Sequence, residues 1–193
     1  MKRLSLAVAV AVFFGSAVAH AQTYTIDSSH SSVLFSVHHL VGRVAGHFDK
    51  FEGTFNYDAA KPETWQAEAT IQAASVNTAN DKRDAHLKTP DFFDVAKYPT
   101  LTFKSTGVTD VKDNHGKLAG NLTMHGVTKP VVLDLEIGGT IKDPWGNQRA
   151  GATATGHLNR KDFGMNWNKV LDTGGLMVGE EITIELNIEG VAK

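Results

Sequence analysis

The chain has 193 residues, no cysteine and a formal net charge of −2. Without cysteine there are no disulfides, no thiolate metal ligands, no c-type haem attachment and no cysteine nucleophile. The 19 basic and 21 acidic residues form no basic patch or stripe. Nucleic acid is therefore not an expected partner, and electrostatics alone would not draw the chain to an anionic membrane.

The first 21 residues read as an export signal. Lys2 and Arg3 supply a positive start, Leu4 to Phe14 a short apolar run, and Ala19-His20-Ala21 a small-x-small cleavage site. The apolar run is shorter than the roughly 20 residues a spanning helix needs. Residues 22–193 are then expected to be a single exported domain. Without Lys2 and Arg3 the remainder carries 17 basic and 21 acidic residues, a net charge of −4.

From Gln22 onward the dominant pattern is period two. Val33, Phe35 and Val37 alternate with polar neighbours, as do Phe51, Gly53, Phe55 and Tyr57. Ala67, Ala69, Ile71 and Ala73 follow, then Leu101 and Phe103, then Leu118, Gly120, Leu122 and Met124. Val131, Leu133, Leu135 and Ile137 oppose Asp134 and Glu136, and Ile182, Ile184, Leu186 and Ile188 oppose Glu185, Asn187 and Glu189. Neighbouring strand side chains point to opposite faces, so these are antiparallel strands with one dry and one wet face. About eight such strands, joined by turns such as Asp113–Gly116 and Lys142–Asn147, predict an all-β sandwich or barrel.

The stretch Thr78–Tyr98 breaks the period. Thr78 is a candidate cap for a short helix over Asp81–Leu87, and Thr89-Pro90-Asp91 has the form of a second helix start. The adjacent Phe92 and Phe93 suit either a packing plug or a lid over a ligand mouth.

No catalytic constellation is visible. His38 and His39 point to opposite faces of one strand, and no H-E-x-x-H occurs. His30, His86, His125 and His157 read as hydrogen-bonded or solvated rather than as ligands. Asp162-Phe163-Gly164 lacks the glycine-rich and catalytic loops of a kinase. No metal, cofactor or catalytic residue is expected.

Volume is the remaining signal. Ala67, Ala69, Ala73, Gly120, Ala152, Ala154 and Gly156 are small where a filled barrel would carry bulk. The run Gly151-Ala-Thr-Ala-Thr-Gly156 is the thinnest. Close packing requires bulky residues opposite or a ligand between the walls. The alternative parity, with Thr153, Thr155 and His157 inward, stays open.

The motifs resemble those of the YceI-like family. Tyr24–Ser31 followed by Phe35–His39 carries the resemblance, as do Gly46–Gly53, Asp81–Leu87, Asp91–Asp94 and Tyr98-Pro99. Leu118–Val131, Asn159–Gly164 and Val178–Ile182 complete it, so nearly all of the chain beyond the leader is covered in order. The resemblance implies a lipocalin-like, extended antiparallel eight-stranded β-barrel with a short helical segment near Thr78–Tyr98. It implies a periplasmic protein that holds a long isoprenoid lipid, such as a polyprenyl phosphate, an isoprenoid quinone or a related amphiphile. Homodimers are known in the family, and a membrane cytochrome or quinone-linked protein is a candidate partner. Under this reading the cavity lining is expected from Phe35, Val37, Phe51, Phe55, Ile71, Phe92, Phe93, Phe103, Leu122, Leu133, Ala152, Ala154 and Ile184. Arg83 and Arg160 are candidate partners of an anionic head group, with His30, Asn159 and Asp162 as orienting groups. Arg160 and Asp162 could instead simply pair with each other.

Overall fold

The computed structural model describes residues 22–172 and 174–193. The leader expected over residues 1–21 lies outside them. Three interrupted strand paths come first: β1 (Gln22–Ile26) continued by β2 (Ser32–His39), β3 (Gly42–Phe48) by β4 (Phe51–Tyr57), and β5 (Gln66–Gln72) by β6 (Val76–Asn77). One helix, α1 (Asp81–Leu87), follows. Long strands complete the fold: β7 (Thr100–Lys112), β8 (His115–Met124), β9 (Val127–Lys142), β10 (Gln148–Asn159) and β11 (Val178–Ala192).

The pairing order closes on itself. β1 pairs with β4 and β2 with β3, so the first two paths are neighbours; β4 pairs with β5 and β3 with β6, so the next two are as well. β5 pairs with β7, and β7 to β11 pair in sequence. β11 then pairs with both β2 and β1, which seals the barrel. Eleven strand segments therefore make eight antiparallel paths in up-and-down order. Full closure leaves no long free edge, which explains how long alternating strands coexist without a second sheet.

Each of the first three paths is interrupted once, at Asp27–Ser31, Asp49–Lys50 and Ala73–Ser75. Ser75 and Ser31 fill the gaps: the Ser75 Oγ accepts from the Lys50 N–H at 3.1 Å, and the Ser31 Oγ accepts from the Glu189 N–H at 2.9 Å. Pro130 sits mid-strand in β9, where a proline costs a ladder bond. It is tolerated because β10 pairs with β9 only from Asp134 onward.

The helix forms as expected but its cap is different. Asn80, not Thr78, accepts from the Arg83 N–H at 3.0 Å. Thr78 is drawn away by Asp84, whose carboxylate takes both its N–H and its hydroxyl. The expected second helix at Thr89-Pro90-Asp91 does not form. The Thr89 hydroxyl donates to the His86 carbonyl at 2.8 Å, and the chain continues as successive turns.

Candidate functional site

The barrel is not filled. A cavity of about 520 Å³ runs through it, within the size range of small-molecule sites. Its lining is overwhelmingly aliphatic and aromatic because every strand turns its apolar parity inward. All thirteen residues expected to line it do so: Phe35, Val37, Phe51, Phe55, Ile71, Phe92, Phe93, Phe103, Leu122, Leu133, Ala152, Ala154 and Ile184. Their side chains come from most of the barrel strands and from the turn segment after α1, which is why sequence proximity alone does not reveal one site.

The thin strand resolves its parity. Ala150, Ala152 and Ala154 face the cavity, and Thr155 is exposed. A bulge at Gly138-Gly139 of β9 breaks the β9–β10 register beside Gly151. Gly139 has φ +81°, and a Cβ on Gly138 would stand 3.0 Å from the Gly151 carbonyl oxygen. The other small residues divide. Ala67 and Ala69 line the cavity. Gly120 and Gly156 do not open it, because the Phe103 ring fills the space over Gly120 and the Leu133 side chain that over Gly156. Ala73 lies in a 3-10 turn, buried, rather than on a strand.

The two ends differ. At the end remote from α1, Trp65 is buried, packs at a tilt against the Tyr57 ring with centroids 4.8 Å apart and donates its indole N–H to the Asp58 carbonyl at 2.6 Å. Trp65 and the carboxylate-flanked turn that carries it were not picked out from sequence; a lone tryptophan in a polar link was the available signal. Nearby, Asn56, Gln66 and Glu68 supply polar lining where the Ala67 N–H donates to the Ser105 Oγ.

At the α1 end the lining turns polar and reaches solvent through Lys82, which is exposed. His86 of α1 packs edge-on against Phe92 at 5.1 Å and Trp167 at 4.9 Å, and its Nε2 lies 2.8 Å from the Asp91 carboxylate. His86 and Trp167 were also missed, since a single helical histidine and a loop tryptophan carry no spacing signal.

Arg83 and Arg160 both line the cavity. The Arg83 Nε donates to the Thr78 hydroxyl at 2.7 Å and its Nη2 to the Thr78 carbonyl at 2.8 Å. Arg160 is 2 % exposed and donates to backbone carbonyls, from Nε to Gly179 at 2.9 Å and from Nη1 to Met165 at 2.5 Å. No carboxylate bonds to its guanidinium among the described residues. Burial lowers its pKa, and Glu180 partly opposes that.

The remaining polar candidates stand elsewhere. Asn159 caps the 3-10 turn Arg160–Phe163 by accepting from the Lys161 N–H at 2.9 Å, and Asp162 is exposed. Neither lines the cavity, and the Arg160–Asp162 pair does not form, because Arg160 turns inward to carbonyls while Asp162 points to water. His30 is exposed on the outer wall, beside a shallow recess with Glu136, Thr153, Asn187 and Glu189. It lies 2.8 Å from the Asp27 carboxylate. Asp27, His30 and Glu189 stand close enough to hold a cation, but Arg149 already bridges Asp27 and Glu189. Two further histidines are likewise bonded: His125 Nδ1 lies 3.0 Å from the Phe163 carbonyl, and His157 lies 3.5 Å from Glu181.

A closed up-and-down barrel of eight antiparallel paths with an apolar interior cavity defines a lipocalin-like binding fold. The YceI-like domain model matches residues 24–190, and the chain belongs to that family. It is 38% identical over 197 residues to a UPF0312 protein of Vibrio cholerae, covering 100% of both chains. A UPF0312 protein of Staphylococcus aureus is 39% identical over 168 residues, covering 86% of this chain and 95% of that one. Among solved structures, the YceI protein of Campylobacter jejuni superposes with a TM-score of 0.71 at 33% identity, covering 81% of this chain and 89% of that one. A polyisoprenoid binding domain from Saccharophagus degradans, implicated in plant cell wall breakdown, shares the fold with a TM-score of 0.64 at 16% identity, covering 89% and 99%.

Proposed function

We propose that this protein is a binding protein, not an enzyme, that holds the hydrocarbon tail of a long-chain isoprenoid lipid inside the barrel. The observation that carries the reading is the apolar cavity, lined from both ends of the barrel and walled on one side by Ala150, Ala152 and Ala154. Small side chains there leave room for a long, thin ligand. Each CH₂ taken from water contributes about 0.8 kcal/mol, so a prenyl chain needs a dry tube more than specific contacts. The family's structural neighbour named for polyisoprenoid binding supports the same ligand class.

The head group stays at the α1 end, where the lining carries the cationic side chains of Lys82, Arg83 and Arg160. Arg83 and Arg160 are the proposed partners of an anionic head. Arg160 is buried and bonded to carbonyl acceptors only, with Glu180 acting on it from a distance, and a phosphate would supply a directly bonded opposite charge. Export directed by the leader over residues 1–21, followed by its removal, would deliver the protein to the periplasm for transport, storage or sequestration of the lipid. A homodimer and a cytochrome or quinone-linked partner belong to the same reading.

Native mass spectrometry of protein purified from cells tests it. A co-purifying mass of a prenyl lipid, or uptake of added polyprenyl phosphate, is the expected result. Absence of both, reproducibly, sinks the proposal.

A further inference from the structure

Hairpin tips are ordinarily polar or glycine-rich, because turns need unusual backbone angles and face water. The β2–β3 hairpin departs from that. His39 pairs with Gly42, so the loop is Leu40-Val41 alone. Leu40 has φ +51° and is 44% exposed, while Val41 is fully exposed. A two-residue turn with positive φ at its first position favours glycine there. Turn formation therefore does not account for leucine and valine.

A second tip stands beside it. Val170 and Leu176 pair as an isolated bridge, are 67% and 43% exposed, and lead into Met177, whose carbonyl accepts from the Leu40 N–H at 3.0 Å. Both tips belong to the α1 end. They continue the cavity lining outward, since His39, Trp167 and Met177 of the same two segments line the cavity. An exposed cation flanks each tip: Arg43 follows Val41 by two residues, and Lys169 precedes Val170.

We infer that these two apolar tips seat the open end of the barrel on a lipid bilayer. Leu40, Val41, Val170 and Leu176 enter the headgroup boundary, and Arg43 and Lys169 meet anionic headgroups. The inference rests on the lipid-holding reading above. A prenyl chain that leaves the cavity through water must re-expose its whole length, whereas a mouth pressed on a bilayer passes it from one apolar phase to another. The opposite end carries exposed apolar side chains too, Ile141 and Trp145, but neither they nor their chain neighbours line the cavity, so that end supplies an internal control.

The test is co-flotation with vesicles of phosphatidylcholine and phosphatidylglycerol in equal parts. Wild type should float with the vesicles, and less so with phosphatidylcholine alone. The triple variant Leu40→Gly, Val41→Ser, Leu176→Ser should lose binding about tenfold or more. Its Tm should hold, because Gly-Ser suits the turn better than Leu-Val. Trp145→Ser should float like wild type. Wild type that stays with the soluble fraction overturns the inference, as does a triple variant that floats equally or a Trp145→Ser variant that loses as much. A wild-type dimer in solution that the triple variant dissolves would assign the tips to a second copy instead. Uptake of polyprenyl phosphate from detergent, measured on the same proteins, reports separately on the cavity, so failure of one reading is distinguishable from failure of the other.

Discussion

Arg160 is the most consequential single residue, because its guanidinium is buried and satisfied only by backbone. It pins Met165 and Gly179 together, and so holds the segment carrying Trp167 against β11. Replacing it with leucine leaves buried carbonyls unpaired, at about 1–3 kcal/mol each. Arg160→Leu is expected to lower the denaturant midpoint and, by the present proposal, to weaken binding of a phosphate head more than that of an uncharged quinone. Ala154 sits at the opposite extreme. It is buried and lines the cavity wall. Ala154→Phe should abolish uptake of a prenyl ligand while circular dichroism still reports a β-barrel, since the new ring has the cavity to enter. Unchanged affinity would place the binding site elsewhere.

At the scale of elements, a helix cap and a buried indole stabilise the two ends. Asn80 holds the first turn of α1, and α1 carries Arg83 and His86 to the mouth. Asn80→Ala should cost about 1 kcal/mol, or about 2–4 °C in Tm for a chain of this size. Trp65 belongs to the core cluster with Val108, Leu133, Leu135 and Ile137. Trp65→Ala should cost about 3–5 kcal/mol, which chemical denaturation measures. The hairpin joining β8 to β9 shows why its motif reads as it does. His125 and Gly126 both have positive φ, at 52° and 74°, and a Cβ on Gly126 would collide with the Tyr98 ring. Tyr98 in turn packs edge-on against His125 at 4.9 Å, tying the turn segment after α1 to the barrel.

For the whole molecule, closure depends on β1 meeting β11, and charge clusters there. Arg149 of β10 bonds to Asp143 and Asp27 at 2.9 Å each and also to Glu189. Hydrogen bonds from Ser29, His30 and Arg149 hold the Asp27 carboxyl well below the usual carboxylate range, and Arg149 first of all does the same for Asp143. Groups depressed in the folded state stabilise it fully above their unfolded pKa of about 3.9, and that stability is lost as pH falls toward the folded value. Tm should therefore be flat from neutral pH to about 5 and fall steeply below about 4. Arg149→Met should lower Tm at neutral pH by a few degrees and make the acid fall shallower. An acid limb as steep as wild type would show that other carboxylates set it.

Strand number and the inward parity of every strand but Gly151–Gly156 were legible because they follow from local periodicity: a period of two exposes its own dry face whatever the fold, and the short helix showed as the stretch that broke it. The strand residues among the thirteen were readable for the same reason, while Phe92 and Phe93 showed only as an apolar pair in a polar stretch. Neighbours in space were not. Whether a small residue opened the cavity depended on what stood across from it, and Phe103 and Leu133 closed over Gly120 and Gly156 while nothing closed over Ala152 and Ala154. Asp84 took Thr78 from its capping role, and the inward turn of Arg160 left Asp162 in water. Such outcomes are competitions among groups far apart in sequence for the same hydrogen bond or the same volume. The amino-acid sequence by itself determined that this chain would form alternating antiparallel strands, a sandwich or a barrel, with undersized residues on the dry face. Only the tertiary structure decided which small residues became cavity and which side chains, such as Trp65 and Arg160, turned inward at its two ends, because those depend on side chains brought together by closure.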